Sequence, residues 1–256
     1  MENEITIELD AAQAIAEEVL PQAMDSTSSV NSLAEEKCNT VKKSMREFFT
    51  TKRMAYLGIF AALSAVLHIF AVFPIPGFPG FLEFKFSDIP ALIAGFMLGP
   101  LSGAIVIVFR MILRLVTGTT GAAGVGEISD LLLGLTLVVT ASMIYQKTKS
   151  TKGALVGLAI ASVASIAVAV FVNRFITVPL FSLIFGWDAI LGMVRPLYPA
   201  VTQETFYHYF LLYAVIPFNT IRVVAASGLA FGLYHALKKA DKRLFPGKKK
   251  TEKIEN

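Results

Sequence analysis

The sequence predicts an all-α membrane protein of six transmembrane helices, with both termini cytoplasmic and a polar N-terminal extension. Three observations lead there. Of the 256 residues, 55% are hydrophobic and only 16% charged, and a mean hydropathy of +0.63 is too apolar for a surface solvated by water. Apolar runs long enough to cross a hydrocarbon layer of roughly 30 Å recur along the chain. Basic residues gather in the short segments that flank those runs, as cytoplasmic loops do. The net charge of +4 therefore points to anionic lipid head groups and not to nucleic acid.

The chain divides into an extension and linker at 1–50, a membrane domain at 51–240 and a basic tail at 241–256. From Met1 to Glu36 there are nine acidic residues and no Lys or Arg, interrupted by the Ser/Thr-rich stretch from Asp25 to Ser29. That segment lacks the positive start and early apolar core of a signal peptide, so it reads as a soluble appendage. Cys38 is the one cysteine and reads as a plain thiol.

The membrane domain holds six apolar runs: Met54 to Phe73, Ile89 to Leu98, Leu101 to Val116, Val125 to Tyr145, Gly153 to Val178, and Tyr209 to Leu237. The second and third are separated by Gly99-Pro100, a step that stops one helix and lets another begin. Orientation supports counting them separately. Lys42, Lys43, Arg46, Lys52 and Arg53 precede the first run, Lys147, Lys149 and Lys152 divide the fourth from the fifth, and a run of Lys and Arg from Lys238 onward follows the sixth. All three clusters fall on the cytoplasmic side only if the number of spans is even; five spans would strand one of them outside.

The external connections are then 74–88, 117–124 and 179–208, all long or rich in Gly and Pro. The stretch from Pro74 to Phe81 has the composition of neither helix nor sheet, and its Phe residues suit either a ligand lid or an aromatic belt at head-group level. The Thr117 to Glu127 loop lacks the order of a phosphate cradle and follows no strand, so it reads as a tight external cap.

Charged and amide side chains inside apolar runs are costly and mark candidate sites. Arg110 and Arg114 lie four apart on the third span, and Glu127 and Asp130 three apart on the fourth, each pair on one helical face. An Arg114–Glu127 pair is geometrically reasonable, as ligand contact or as a lock between helices. Asn173 and Arg174 interrupt the fifth span, and Asn219 and Arg222 share a face of the sixth just after Pro217. Proline cannot donate to the carbonyl of Tyr213, so the helix loosens there. Asparagine offers donors and an acceptor to the edge of a heterocycle, and arginine a fork of donors; interhelical hydrogen bonding is the competing role. His68, His208 and His235 fall in separate segments with no metal-ligand spacing, and no nucleophile motif or nucleotide-hydrolysing motif occurs. A catalytic, metal or cofactor site is therefore not expected. Accumulation of a solute would draw on a partner or an ion gradient, and a proton-driven carrier would use Glu127 and Asp130 as relays.

Phe81-Leu82-Glu83-Phe84-Lys85-Phe86-Ser87-Asp88-Ile89-Pro90, Leu98-Gly99-Pro100, the Thr117 to Glu127 loop and Tyr213 to Asn219 together resemble the substrate-binding S components of energy-coupling factor (ECF) vitamin transporters, the riboflavin-specific subgroup above all. The resemblance spans about residues 54–238. It implies a six-helix S component with an outward-facing pocket, working with a membrane coupling subunit (the T component) and two cytosolic ATPase subunits in the plasma membrane of a prokaryote. It also implies a small-residue docking face for the coupling subunit, supplied here by Ala61 and Ala65 with Gly58 and Ala62 alongside. For the vitamin it implies Asn173 and Asn219 as polar anchors, Glu127 beside them, and the aromatic first loop, at Phe84 and Phe86, as cover. Where the family pattern has Lys three residues after the second Asn, this chain has Arg222. Gly126-Glu127-Ile128-Ser129-Asp130 also departs from the commoner Gly-Glu-Leu-Ala-Asn. Riboflavin is the expected ligand; with Arg110 and Arg114, these departures make an anionic relative, such as a flavin phosphate or another acidic vitamin, the alternative.

Overall fold

The computed structural model describes residues 50–118 and 124–240. The acidic extension with Cys38, the loop tip at 119–123 and the basic tail from 241 lie outside the described residues, and so do the expectations placed on them.

The first helix, α1 (Thr51–Phe70), is followed by a short antiparallel hairpin of β1 (Val72–Pro74) and β2 (Glu83–Lys85). The composition around Pro74 argues against regular structure, yet Pro74 closes β1 opposite Glu83. A two-stranded hairpin is all edge, and its last residue is a place where a missing N–H costs little. Next come α2 (Asp88–Leu98) and α3 (Pro100–Val116). Gly99 joins them at φ 100, a left-handed conformation that suits glycine, and Pro100 opens α3 where its missing N–H is not needed. The two helices then pack back to back. A Cβ on Gly103 would come within 3.0 Å of the Ala91 carbonyl oxygen and 3.1 Å of Gly95 Cα, so backbone meets backbone at that crossing.

The longer helices follow. α4 (Val125–Thr148) turns tightly into α5 (Thr151–Val172) through Lys149 and Ser150, whose hydroxyl caps α5 by accepting from the Gly153 N–H. A π-helical turn at Asn173–Thr177 leads without a break into α6 (Val178–Val194). This overturns the expected connection at 179–208, since most of its first half is helix. Pro179 signals a stop, but it sits in the first turn of α6, where proline is compatible with helix, and the residues behind it are almost wholly apolar. Only Gly186, at φ 76, breaks the helical conformation.

The chain returns through α7 (Phe206–Tyr209), a second π turn at Phe210–Val215, and α8 (Ile216–Ala240). Pro217 deprives the Tyr213 carbonyl of its usual helical donor, and the Tyr198 hydroxyl donates to it instead at 3.1 Å. Each π turn widens its helix next to an asparagine, Asn173 within the first and Asn219 just past the second. Such turns commonly accompany functional sites.

Among the described residues, four helical stretches are long and apolar enough to cross a bilayer: Thr51–Phe70, Val125–Thr148, Thr151–Val194 and Phe206–Lys239. One buried apolar cluster links α1, α2, α3, α4, α5 and α8 around Phe96, Tyr145 and Tyr234. A second joins α4, α5, α6 and the start of the last helical run around Phe181, Phe206 and Phe210. The polar site lies where helices of both clusters come together.

Candidate functional site

A cavity of about 430 Å³ opens among the β1–β2 hairpin, α4, the first π turn, α6 and α8. Of the residues singled out in the sequence, Glu127, Asp130, Asn173, Asn219 and Arg222 line it. They come from three separate helical runs, so only tertiary folding brings them together.

The two asparagines are held alike. Asn173 Nδ2 donates to the Ala169 carbonyl at 2.8 Å, and Asn219 Nδ2 donates to the Val215 carbonyl at 2.9 Å. A carbonyl can only accept, so in each case the amide nitrogen faces the helix and Oδ1 is the group left over, with no protein partner among the described residues. Thr177, one turn beyond Asn173, hydrogen-bonds Ser129 of α4 across the cavity wall.

The charged residues form one alternating chain. Glu127 Oε1 lies 2.8 Å from Arg114 Nε, as the spacing suggested, and Arg114 Nη2 reaches Glu83 Oε2 at 2.8 Å. Glu83 in turn meets Lys85 Nζ at 2.8 Å, and Lys85 donates to Asp130 Oδ2 at 2.7 Å. Asp130 Oδ1 stands 3.2 Å from Arg222 Nη1. Arg222 Nη2 donates to Asp88 Oδ2 at 3.0 Å, and Asp88 Oδ1 accepts from Arg110 Nη2 at 2.6 Å. Four carboxylates thus alternate with four cations, and the ensemble is charge-neutral. Its two ends carry the leftovers: Glu127 Oε2 and Arg110 Nη1 are buried with no hydrogen-bond partner among the described residues. Glu127 belongs to the cavity wall, so an acceptor stands ready there.

Glu83, on the hairpin, shows what the chain does to an ionisable group. Burial alone would raise its pKa, but Lys85 and Arg114 outweigh burial and hold the carboxyl below its ordinary range. On the other side, Arg114 Nη1 donates to the His68 carbonyl, and Ser64 donates to the Ser87 carbonyl, tying α1 to the polar cluster.

Phe84 and Phe86 do not line the cavity. Side chains alternate along a strand, so with Glu83 and Lys85 facing the cavity, Phe84 points the other way. It stacks edge-on against Phe86, which meets Phe73 likewise. The aromatic cover comes from Phe81, with Phe181 and Phe218. Phe81 packs at 5.6 Å from both Phe181 and Phe210 and separates the polar cavity from a second, apolar one of about 240 Å³, bounded also by Val178, Phe185, Ile190, Met193 and Phe206. Lys85, Thr177 and Phe181 join the wall without having been candidate site residues. Thr177 carried a readable signal, standing four residues after Asn173.

On α1, Ala61 and Ala65 are buried at 5% and 3% exposure, with Ala61 in the core of its own chain. Gly58 and Ala62 are the exposed pair, and nothing lies within 4 Å of where a Cβ on Gly58 would stand. Among the described residues no group of three metal-ligating side chains occurs.

These features define a class: a multi-pass membrane protein with a pocket whose charges are paired with one another, suited to holding a small polar solute. Residues 52–234 match the family described as "ECF transporter, substrate-specific component", and the chain belongs to that family. It is 31% identical over 193 residues to the riboflavin transporter RibU of Staphylococcus aureus, covering 75% of this chain and 94% of that protein. It is 29% identical over 198 residues to the riboflavin transporter RibU of Lactococcus lactis subsp. cremoris, covering 75% and 95%. A solved structure described as the S component of a bacterial ECF transporter superposes with a TM-score of 0.58 at 30% identity, covering 74% of this chain and 96% of that one. The family is one of transporters and not of enzymes.

Proposed function

We propose that this chain is the riboflavin-binding S component of an ECF transporter, taking up the neutral vitamin from outside the cell. The observation that carries this reading is the inventory of the cavity wall: free acceptors at Asn173 Oδ1, Asn219 Oδ1 and Glu127 Oε2, beside cations that are all engaged by carboxylates. A ligand that suits it is rich in N–H and O–H donors and carries no charge. Riboflavin answers that description through its imide N–H and its polyol hydroxyls. The apolar methyl-bearing edge of the flavin ring suits the wall formed by Phe81, Phe181 and Met193. The relatives named riboflavin transporters favour the same ligand.

In this reading the chain crosses the membrane six times, α2 and α3 each counting as a short crossing, and both termini are cytoplasmic. A membrane coupling subunit and two cytosolic ATPases supply the work. The exposed pair Gly58 and Ala62 is the docking face on α1, because a partner helix can approach closely only where small side chains are uncovered. Titration of purified protein against riboflavin, followed by quenching of flavin fluorescence, tests the assignment. Saturable quenching at or below micromolar ligand is expected; folded protein that leaves the emission unchanged rules it out.

A further inference from the structure

We propose that Asp88 sets the charge preference of the cavity, acting through Arg222, and that its carboxylate is what disfavours a phosphorylated form of the ligand. The proposal rests on the flavin reading above and concerns a residue that does not itself line the cavity. Asp88 is 1% exposed and sits at the start of α2. Its two oxygens take one guanidinium each, Arg110 of α3 at 2.6 Å and Arg222 of α8 at 3.0 Å.

The other terminal nitrogen of Arg222 is spent on Asp130 at 3.2 Å. Arg222 therefore reaches the cavity wall as a neutralised group. Three carboxylates and two cations make up the ionised lining, Glu83, Glu127 and Asp130 against Lys85 and Arg222. A phosphate dianion entering this space meets a wall of its own sign, and removing charge at Asp88 reverses the balance behind that wall. Arg110 would lose its carboxylate partner, and its Nη1 has none to begin with. A cavity of this volume is about 10 Å across, so a phosphate anywhere inside it lies within about one screening length of Arg222.

The surroundings are shaped to hold the pair. A Cβ on Gly134 would stand 2.9 Å from Arg110 Nη2 and 3.3 Å from Asp88 Oδ1, so α4 carries no side chain at a position where one would crowd them.

A purely structural bolt between α2, α3 and α8 is the competing role, and the ratio of two affinities separates it. Dissociation constants for riboflavin and riboflavin 5′-phosphate are measured by fluorescence quenching for the wild-type protein, Asp88→Asn and Arg110→Gln. In the wild type riboflavin is expected to bind the tighter of the two. In Asp88→Asn the preference should shift toward the phosphate ester by about tenfold or more, because Arg110 loses its carboxylate and Arg222 keeps only Asp130, leaving one uncompensated positive charge in a poorly screened site. In Arg110→Gln, which leaves Asp88 less compensated, it should shift the other way, and this variant decides the matter if Asp88→Asn does not fold. A bolt would weaken both ligands alike; an unchanged ratio in the variants that bind riboflavin overturns the proposal. Wild-type protein that binds neither flavin overturns the flavin assignment, and this proposal with it.

Discussion

Asn219 shows how little a side chain must do to become a recognition group. Its amide nitrogen stays on its own helix, at the Val215 carbonyl, and the oxygen that remains is the useful half. Asn219→Ala should therefore weaken riboflavin binding by about tenfold, the cost of one or two buried hydrogen bonds, while leaving the unfolding temperature nearly unchanged. Fluorescence titration alongside thermal unfolding in detergent checks both halves. Glu83 makes a different kind of prediction. Its pKa is lowered on folding by Lys85 and Arg114 against the opposing effect of burial, so its contribution to stability is complete above the ordinary value of 4.5 and is lost as pH falls through the lower folded value. The unfolding temperature should drop more steeply with acidification below about pH 4.5 in the wild type than in Glu83→Gln; parallel curves would clear Glu83 of the effect. At this scale the sequence is a good guide to polar residues within helices, since a polar group in an apolar run stands out wherever it points. It is a poor guide to Phe84 against Phe81. Three aromatic residues within six positions look alike until the register of the hairpin decides which one turns inward.

Between elements, close approach is the recurring device. Gly134 admits the Asp88–Arg110 pair, and Gly103 lets α2 and α3 touch backbone to backbone. Gly134→Ala should lower stability by about 1–3 kcal/mol, since the methyl would press on groups that have no room to retreat. Gly228, on α8, has nothing within 4 Å of the point an alanine methyl would occupy, so Gly228→Ala should be neutral or add up to about 1 kcal/mol through helix propensity. Denaturation of the two variants side by side distinguishes steric crowding from a general intolerance of alanine. The helices themselves are legible from length, apolar runs and the Gly99-Pro100 step. α6 is not. Proline at its start and glycine in its middle are the marks of a loop, and only packing of Phe181, Ile190 and Val194 into the second apolar cluster makes a bent helix the better solution.

For the whole molecule, the question is which surfaces remain for partners. A bulky residue at the buried Ala61 should destabilise the bundle, whereas Ala62→Trp, on the exposed side, should leave riboflavin affinity intact and abolish recovery of the coupling subunit by co-purification. Uptake by cells lacking the ATPase partners provides a second check: little transport is expected there, and sustained accumulation would favour the proton-driven alternative. Nothing in the small-residue spacing tells Ala61 and Gly58 apart, because every residue of a lone helix is equally available. The bundle removes that equivalence by covering one side.

The eight-membered chain of charges bears on how the protein is made. Its members belong to β2, α2, α3, α4 and α8, so they leave the ribosome far apart in time. An arginine lodged at mid-membrane without its counter-ion costs about 2.5–3.5 kcal/mol on insertion scales. α2 and α3 can meet this early by entering as a hairpin with Asp88 and Arg110 already joined. Arg222 belongs to the last helix, and Asp130 and Asp88 await it. Biogenesis is therefore expected to have a final, checkable event: until α8 is seated the cluster holds four carboxylates against three cations, and a nascent chain truncated before Arg222 should be cleared by membrane proteases faster than the full chain.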